Sequence, residues 1–432
     1  MGKKKLAIIS SYNELCGNAT YTYVLQKEFS KFYDVTVFPL NQFFLRSTSK
    51  KVKKLGDEHI KEIAYELEKF DYVNIQFEAG LFGIYKKDIV RRFEILTKAS
   101  QNLIVTLHRL DIKKDLYLTT FLKSLLSNRN PIKTLKEFKN KNYFASMYED
   151  IINIIKDYSY KKPVKVIVHT RREKRNIKAF FSFDQVYDHP ITFLTRNEIN
   201  FFKDRAKKMK SKLFKKYNLK ENHKLIGIFG FLSHYKGHIT AIKALENLPD
   251  NYKLFICGSQ HPQSINIFED VNPYIKELTE YIEKRDKENI KQSRFFLKER
   301  LLSIHQLEEK LLKNRVIFVG ALNDEDFITY LNLMDYVVLP YLETGQSGSG
   351  IAALTLETES NAIFSNNYAF MEFKKYTGDA FEMFDIGNYL ELANKIKYFE
   401  DGKYKEAIQE YYNNYNIHTN IYLYKRLFEE NN

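Results

Sequence analysis

The first half of the chain alternates short apolar runs with amphipathic stretches. The runs Leu6–Ser10, Val35–Phe38, Tyr72–Gln76, Leu103–Leu107, Val164–Val168 and Gln185–Tyr187 predict strands. Stretches near Thr20–Phe32, Asp57–Phe70, Lys86–Ala99 and Arg171–Phe180 predict helices between them. This alternation argues for a parallel, doubly wound sheet. The rhythm breaks once, over residues 109–160. Two apolar-basic stretches, DLYLTTFLKSLL and YFASMYEDIINIIKDY, read there as a helical insertion after the fourth strand. A basic run, FFKDRAKKMKSKLFKKYNLKENHK, then leads into a new strand.

The second half restarts the alternation. Strands are expected at Leu225–Phe229, Lys253–Cys257, Val316–Val319, Tyr336–Leu339 and Ala362–Ser365. Helices are expected near Lys236–Glu246, Asp324–Met334 and Gly350–Glu359, with a long charged helical segment over Tyr274–Lys313. No short-period repeat is present, which excludes a solenoid. The expected organisation is α/β: two Rossmann-like domains in tandem, residues 1–218 and 219–410, then a C-terminal helix over 411–432. Ligands of such sheets bind beyond the carboxyl ends of the strands.

The length of 432 residues suits two such domains, and 44% apolar residues suffice for their cores. Charge adds an asymmetry. Residues 1–220 carry 45 Lys/Arg against 23 Asp/Glu, net +22, and the remainder is net −8, which together make the overall +14. A basic half points to an anionic partner: nucleic acid, phospholipid or a phosphorylated acceptor. No nucleic-acid module and no aromatic stacking motif is present, so no nucleic-acid partner is expected. No apolar run approaches the roughly 18 residues of a membrane span. The opening MGKKKLAIIS reads as a first strand, not a signal peptide. Cys16 and Cys257 then read as reduced thiols of a cytoplasmic protein, with no zinc constellation.

Four places carry candidate chemistry. Gly17, with Asn18 beside it, lies in the loop SSYNELCGNATY, where a small-residue turn opens a helix toward an anion. A G-x-G-x-x-G fingerprint is missing, and a plain turn is the alternative. His108 follows a strand in LIVTLHRLD, and His169 and His189 also follow strands; core packing is the plain reading of any one of them. Lys236 stands with Gly237 at a helix start in FGFLSHYKGH, where a cation suits a diphosphate and a surface lysine is the alternative. The richest stretch is LPYLETGQSGSG. A strand ends at Pro340, a loop of Gly345, Gln346, Ser347, Gly348, Ser349 and Gly350 follows, and a helix begins. That is the anatomy of a phosphate cradle, although no Gly-Lys-Ser/Thr of a Walker loop ends it. Glu343 could accept hydrogen bonds from sugar hydroxyls. Asp324-Glu325-Asp326 reads as an acidic helix start and not as a metal site.

Seven strings, in order, resemble the retaining GT-B glycosyltransferases of family four: CGNATYT at 16–22, NIQFEAGLFG at 74–83, VTLH at 105–108, VIVHT at 166–170, FGFLSHYKG at 229–237, RVIFVGALNDEDF at 315–327 and LPYLETGQSGSG at 339–350. The resemblance spans nearly the whole chain. It implies two Rossmann-like domains with a cleft between them and a C-terminal crossover helix, IYLYKRLFEE. It implies roles by position: Gly17 and Asn18 near the donor phosphates, His108 and Glu343 at the transferred sugar, and Lys236, Gln346, Ser347, Gly348 and Ser349 on the diphosphate. Two departures stand out. Phe231 occupies the place of a common family arginine. The paired glutamates eight apart are missing, leaving Glu357, 14 residues after Glu343, as the candidate for the ribose.

The resemblance implies sugar transfer from a nucleoside diphosphate sugar to an acceptor hydroxyl, with retained configuration. Neither cofactor nor metal is expected, so the leaving diphosphate would be neutralised by Lys236, backbone donors and helix dipoles. A non-catalytic nucleotide-sugar-binding protein, or a GT-B phosphorylase or epimerase, are the alternatives. The acceptor would be a glycan, a protein or a lipid-linked sugar. The basic half would let the protein dock on the inner face of an anionic membrane.

Overall fold

The computed structural model describes residues 2–14, 16–112, 131–261, 271–298, 303–343 and 347–430. They form two compact units: residues 1–191 with 418–432, and residues 192–417.

The first unit is built on a parallel sheet ordered β2-β1-β3-β4-β5-β6. Its strands are β1 Lys5–Ser10, β2 Asp34–Pro39, β3 Tyr72–Phe77, β4 Leu103–Leu107, β5 Val164–Val168 and β6 Val186–Asp188. The period of two along each strand sorts its side chains between faces. On β3, Val73, Ile75 and Phe77 join the core that the helices Lys50–Leu67, Lys86–Ala99 and Pro131–Ser159 complete with Ile60, Phe93, Ile151 and their neighbours. The alternate residues Asn74 and Gln76 are fully buried on the other face. There Thr106 of β4, in register with Gln76, meets Tyr424 of the helix Ile417–Glu429 at 2.6 Å. The last helix thus packs on this sheet through Tyr424 and through Phe428, stacked on Tyr72. The helix Pro131–Ser159 follows β4; the first stretch of the expected insertion, DLYLTTFLKSLL, lies outside the described residues.

The second unit carries the sheet β12-β11-β10-β7-β8-β9, also parallel. The strands are β7 Lys224–Phe229, β8 Tyr252–Cys257, β9 Val316–Gly320, β10 Tyr336–Leu339, β11 Ala362–Ser365 and β12 Glu382–Phe384. Ile226, Ile228, Leu254, Ile256 and Val338 meet Ile242, Leu245, Leu392 and Ile396 from the helices His238–Glu246 and Tyr389–Lys397. β12, spelled EMF, is too short and too polar to register as an apolar run.

The division falls at 191/192, upstream of the expected 218/219. The reason is the helix Arg196–Lys216. Thr195 and Glu198 start it with a capping box, and Arg205 then reaches Glu325 and Asp326 (2.5 Å) of the helix Asp324–Leu333. Phe201–Lys216 of the basic run therefore lie in a packed helix of the second unit.

Candidate functional site

In an open parallel sheet the ligand crevice lies where the strand order reverses, outside the carboxyl ends. In the second sheet that point is between β7 and β10. Three loops converge there through backbone. Gly230, at φ +102°, follows β7; Gly258 follows β8, and a Cβ on it would fall 1.9 Å from the Gly230 carbonyl oxygen. Gly237, at φ +70°, has no room for a Cβ either, since Pro340 O would be 1.9 Å away. A left-handed φ and a close approach both demand glycine here.

This packing sets Lys236. It ends the 3-10 turn His234–Lys236, ahead of the helix that begins at His238. Only 6% exposed, it is not the surface lysine of the plain reading. Its Nζ donates to the Tyr341 hydroxyl at 2.5 Å and lies 4.0 Å from that ring's centroid. Among the described residues no carboxylate pairs with it. Burial pushes its pKa down to about 7. The loop after β10 adds hydroxyls. Ser347 is buried, and Ser349 caps the helix Gly350–Glu357 by accepting the Ala352 N–H at 3.3 Å. Gly348 lies between them; Gly345 and Gln346 fall outside the described residues. A buried lysine with no counter-ion among the described residues, a helix N-terminus and hydroxyls make an anion-receiving edge.

In the first sheet the reversal lies between β1 and β3. The helix Gly17–Phe29 starts there, its N-cap formed by the Cys16 thiol, which accepts the Ala19 N–H at 3.4 Å. A Cβ on Gly17 would meet nothing within 4 Å, so packing does not require glycine and the space stays open. Asn18 donates to Glu78, just after β3, at 3.0 Å. His108 follows β4, two strands along. Its Nε2 meets Gln76 Oε1 at 2.7 Å and its Nδ1 meets His169 Nε2 at 3.2 Å. Burial, and then the neighbouring His169, hold its pKa well below the usual histidine value. Tyr21 presents its ring edge to both imidazoles, 5.6 and 5.9 Å between centroids.

Residues 209–418 match the model of the family described as glycosyl transferases group 1. No curated protein is similar to the chain in sequence. Solved structures are similar over its whole length. Anabaena HepE, in a crystal with UDP and glucose, is 13% identical with a TM-score of 0.59, covering 99% of this chain and 100% of its own. A sucrose-phosphate synthase from Thermosynechococcus elongatus is 14% identical, TM-score 0.62, covering 99% of each. A UDP-forming α,α-trehalose-phosphate synthase from Burkholderia xenovorans, with glucose-6-phosphate, is 10% identical, TM-score 0.62, covering 99% of this chain and 100% of its own. Residues 209–418 are thus a group 1 glycosyltransferase domain, and the chain has the GT-B fold.

Within this fold the remaining candidates take distinct places. Phe231 lies against the His261 ring, 4.5 Å between centroids. Glu343 is exposed and accepts the Tyr368 N–H at 2.8 Å, tying the loop after β10 to the start of the helix Tyr368–Thr377, which follows β11. Glu357 is 1% exposed; its two oxygens accept the N–H groups of Phe193 and Leu194 at 2.8 and 3.2 Å. Burial raises its carboxyl to about 8 against the pull of those donors. Asp324, Glu325 and Asp326 form a first helical turn capped by Asn323. Sequence reading missed Tyr341, the acceptor for Lys236, and Gln76, the partner of His108. Gln76 did leave a signal: with Asn74 it interrupts an otherwise apolar strand at the spacing of one sheet face.

Proposed function

We propose that this enzyme transfers a sugar from a nucleoside diphosphate sugar to an acceptor hydroxyl, with retained configuration and without a metal. The observation that carries the reading is Lys236, a buried lysine with no carboxylate partner among the described residues, at the reversal point of the group 1 domain. A departing diphosphate supplies the counter-charge that holds Lys236 protonated, and the charged lysine stabilises the leaving group. Ser347, Ser349 and the helix Gly350–Glu357 supply further donors. His108, on the first unit, is the group offered to the sugar, and Gly17 leaves space at its own sheet edge.

The acceptor is proposed to be lipid-linked. The first unit exposes Phe43 (75%) and Leu55 (47%) on either side in sequence of the exposed Lys50, Lys51 and Lys54, and exposes Phe144 (45%) on another helix. Apolar side chains among lysines suit an anionic lipid surface. Among the described residues no helix is long and apolar enough to cross a membrane.

A panel of nucleotide sugars, screened by thermal shift and then by transfer assay in EDTA, tests the reading. A true donor at about 100 times its Kd stabilises by ~2.7 kcal/mol. It is expected to support transfer that survives the chelator and yields a product of unchanged anomeric configuration. Transfer restored only by added magnesium or manganese would overturn the metal-free mechanism. Stabilisation without any transfer would support the binding-only alternative.

A further inference from the structure

Four side chains of the first unit form a line of hydrogen bonds whose two ends are fixed by backbone carbonyls. At one end Asn74 Nδ2 lies 3.0 Å from Ile104 O. A carbonyl only accepts, so the amide nitrogen of Asn74 must face it and Oδ1 must face Gln76. Gln76 then gives its NH2 to Asn74 and turns Oε1 to His108. His108 must carry a proton on Nε2. At the other end His169 Nδ1 lies 3.0 Å from His189 O, so His169 must carry a proton on Nδ1. The two runs of donors meet at His108 Nδ1 and His169 Nε2, 3.2 Å apart. Each neutral ring has already placed its one proton at its outer end. Two neutral imidazoles would therefore oppose lone pair to lone pair. One more proton turns the contact into an N–H···N bond and gives the pair a single positive charge.

We infer that His108 and His169 titrate as one unit sharing that additional proton, and that His169 acts through it as a positioning residue for His108. With the proton, His108 is clamped between Gln76 and His169. Without it one contact must open, and His108 is the ring that turns, being partly exposed where His169 is 4% exposed. Burial opposes the charge, lowering His108 and taking His169 to about 4. The groups around the pair do not offset this. Tyr21, from the helix Gly17–Phe29, offers a ring edge. His189 is engaged with Pro190 O and Thr419 beside Asp188, and Tyr424 reaches Thr106. Glu78, Glu173, Arg109 and Asp111 act on Tyr148. An electron-rich ligand oxygen at the exposed side of His108 would favour the charged, clamped form. The inference deepens the role given to His108 above, but its test reads protons and needs no transfer activity.

The test is two-bond 1H–15N NMR of the full chain labelled at histidine, between pH 4 and 9, on wild type, His169→Phe and Gln76→Leu. In wild type the His108 and His169 nitrogens should move together in one step, with His108 Nε2 keeping its proton throughout. Gln76→Leu frees that nitrogen, so neutral His108 can donate from Nδ1 to His169. Its tautomer should switch to Nδ1–H and the common step should fall by about one pH unit, the worth of one hydrogen bond. His169→Phe should abolish the common step. Separate titration of the two rings in wild type, or a neutral His108 already in the Nδ1–H tautomer with Gln76 intact, would overturn the inference. Wild type and Gln76→Leu decide the matter even where His169→Phe fails to fold.

Discussion

At the scale of single residues, burial decides what two ionisable groups can do. Lys236, with a pKa of about 7, is half neutral at physiological pH in the free protein. A bound diphosphate requires the charged form, so binding takes up a proton above pH 7. The affinity for a nucleoside diphosphate should therefore fall by up to about tenfold per pH unit above 7. In Lys236→Met, titration calorimetry should show weak binding with no such slope, and turnover should drop by about 100- to 1000-fold. A slope that persists in the variant would place the proton elsewhere. Glu357 presents the opposite sign. Its folded pKa of about 8 lies above the ordinary 4.5, so the folded chain holds the extra proton across that window. The stability this gives is complete below 4.5 and is lost as pH rises through 8. Lys236, depressed from 10.5, works the other way between 7 and 10.5. Comparing wild type with Glu357→Gln cancels that contribution. Wild type should lose on the order of 2 kcal/mol relative to the variant between pH 6 and 9, read from denaturant midpoints. Equal slopes for the two proteins would mean that the two N–H donors already hold the carboxylate ionised.

At the scale of elements, loops that touch through backbone set the site. Gly237 joins the 3-10 turn of Lys236 to the helix His238–Glu246 and abuts Pro340. Gly237→Ala meets both a disfavoured φ and a clash with Pro340 O, so a cost of about 3 kcal/mol or more is expected, measured by chemical denaturation. Gly17→Ala is the control. Its Cβ meets nothing within 4 Å among the described residues, so stability should change by less than about 1 kcal/mol. A loss of donor binding in that stable variant would mark the space as ligand space; unchanged binding would remove Gly17 from the site.

At the scale of the whole molecule, charge is the distinguishing feature. The net +22 of residues 1–220 includes Lys50, Lys51 and Lys54, exposed with Leu55 in the first turns of the helix Lys50–Leu67, whose other face is buried. Each lysine near an anionic surface contributes about 1 kcal/mol, screened over ~8 Å at 0.15 M salt. Sedimentation with anionic vesicles at low salt should show binding that high salt reverses, and neutral vesicles should bind little. The variant Lys50→Glu with Lys54→Glu should weaken it by tenfold or more. Failure to bind either vesicle would point to a soluble acceptor. The basic run Phe201–Tyr217 contributes less than its sequence suggests. Ile199, Phe202, Ala206 and Leu213 of its helix are buried, and Arg205 is engaged with Glu325 and Asp326.

Hydrophobic periodicity alone determined the parallel α/β architecture and the position of eleven of the twelve strands among the described residues, because a buried strand must present a continuous apolar run. It also placed Lys236, Ser347, His108 and Gly17 at strand ends, since strand ends are where such runs stop. It missed β12, whose three edge residues bury too little to leave a pattern. Only tertiary structure decided the rest. That Lys236 is buried against Tyr341 is settled by glycine contacts between loops over a hundred residues apart. That Glu357 holds Phe193 and Leu194 follows from a fold that brings positions 163 and 164 residues apart within 3.2 Å. Three histidines after three strands are visible in one dimension; the proton two of them must share is not. It depends on which carbonyls close the line of hydrogen bonds at each end, Ile104 O on β4 and His189 O after β6, and those positions exist only once β3, β4, β5 and β6 lie side by side.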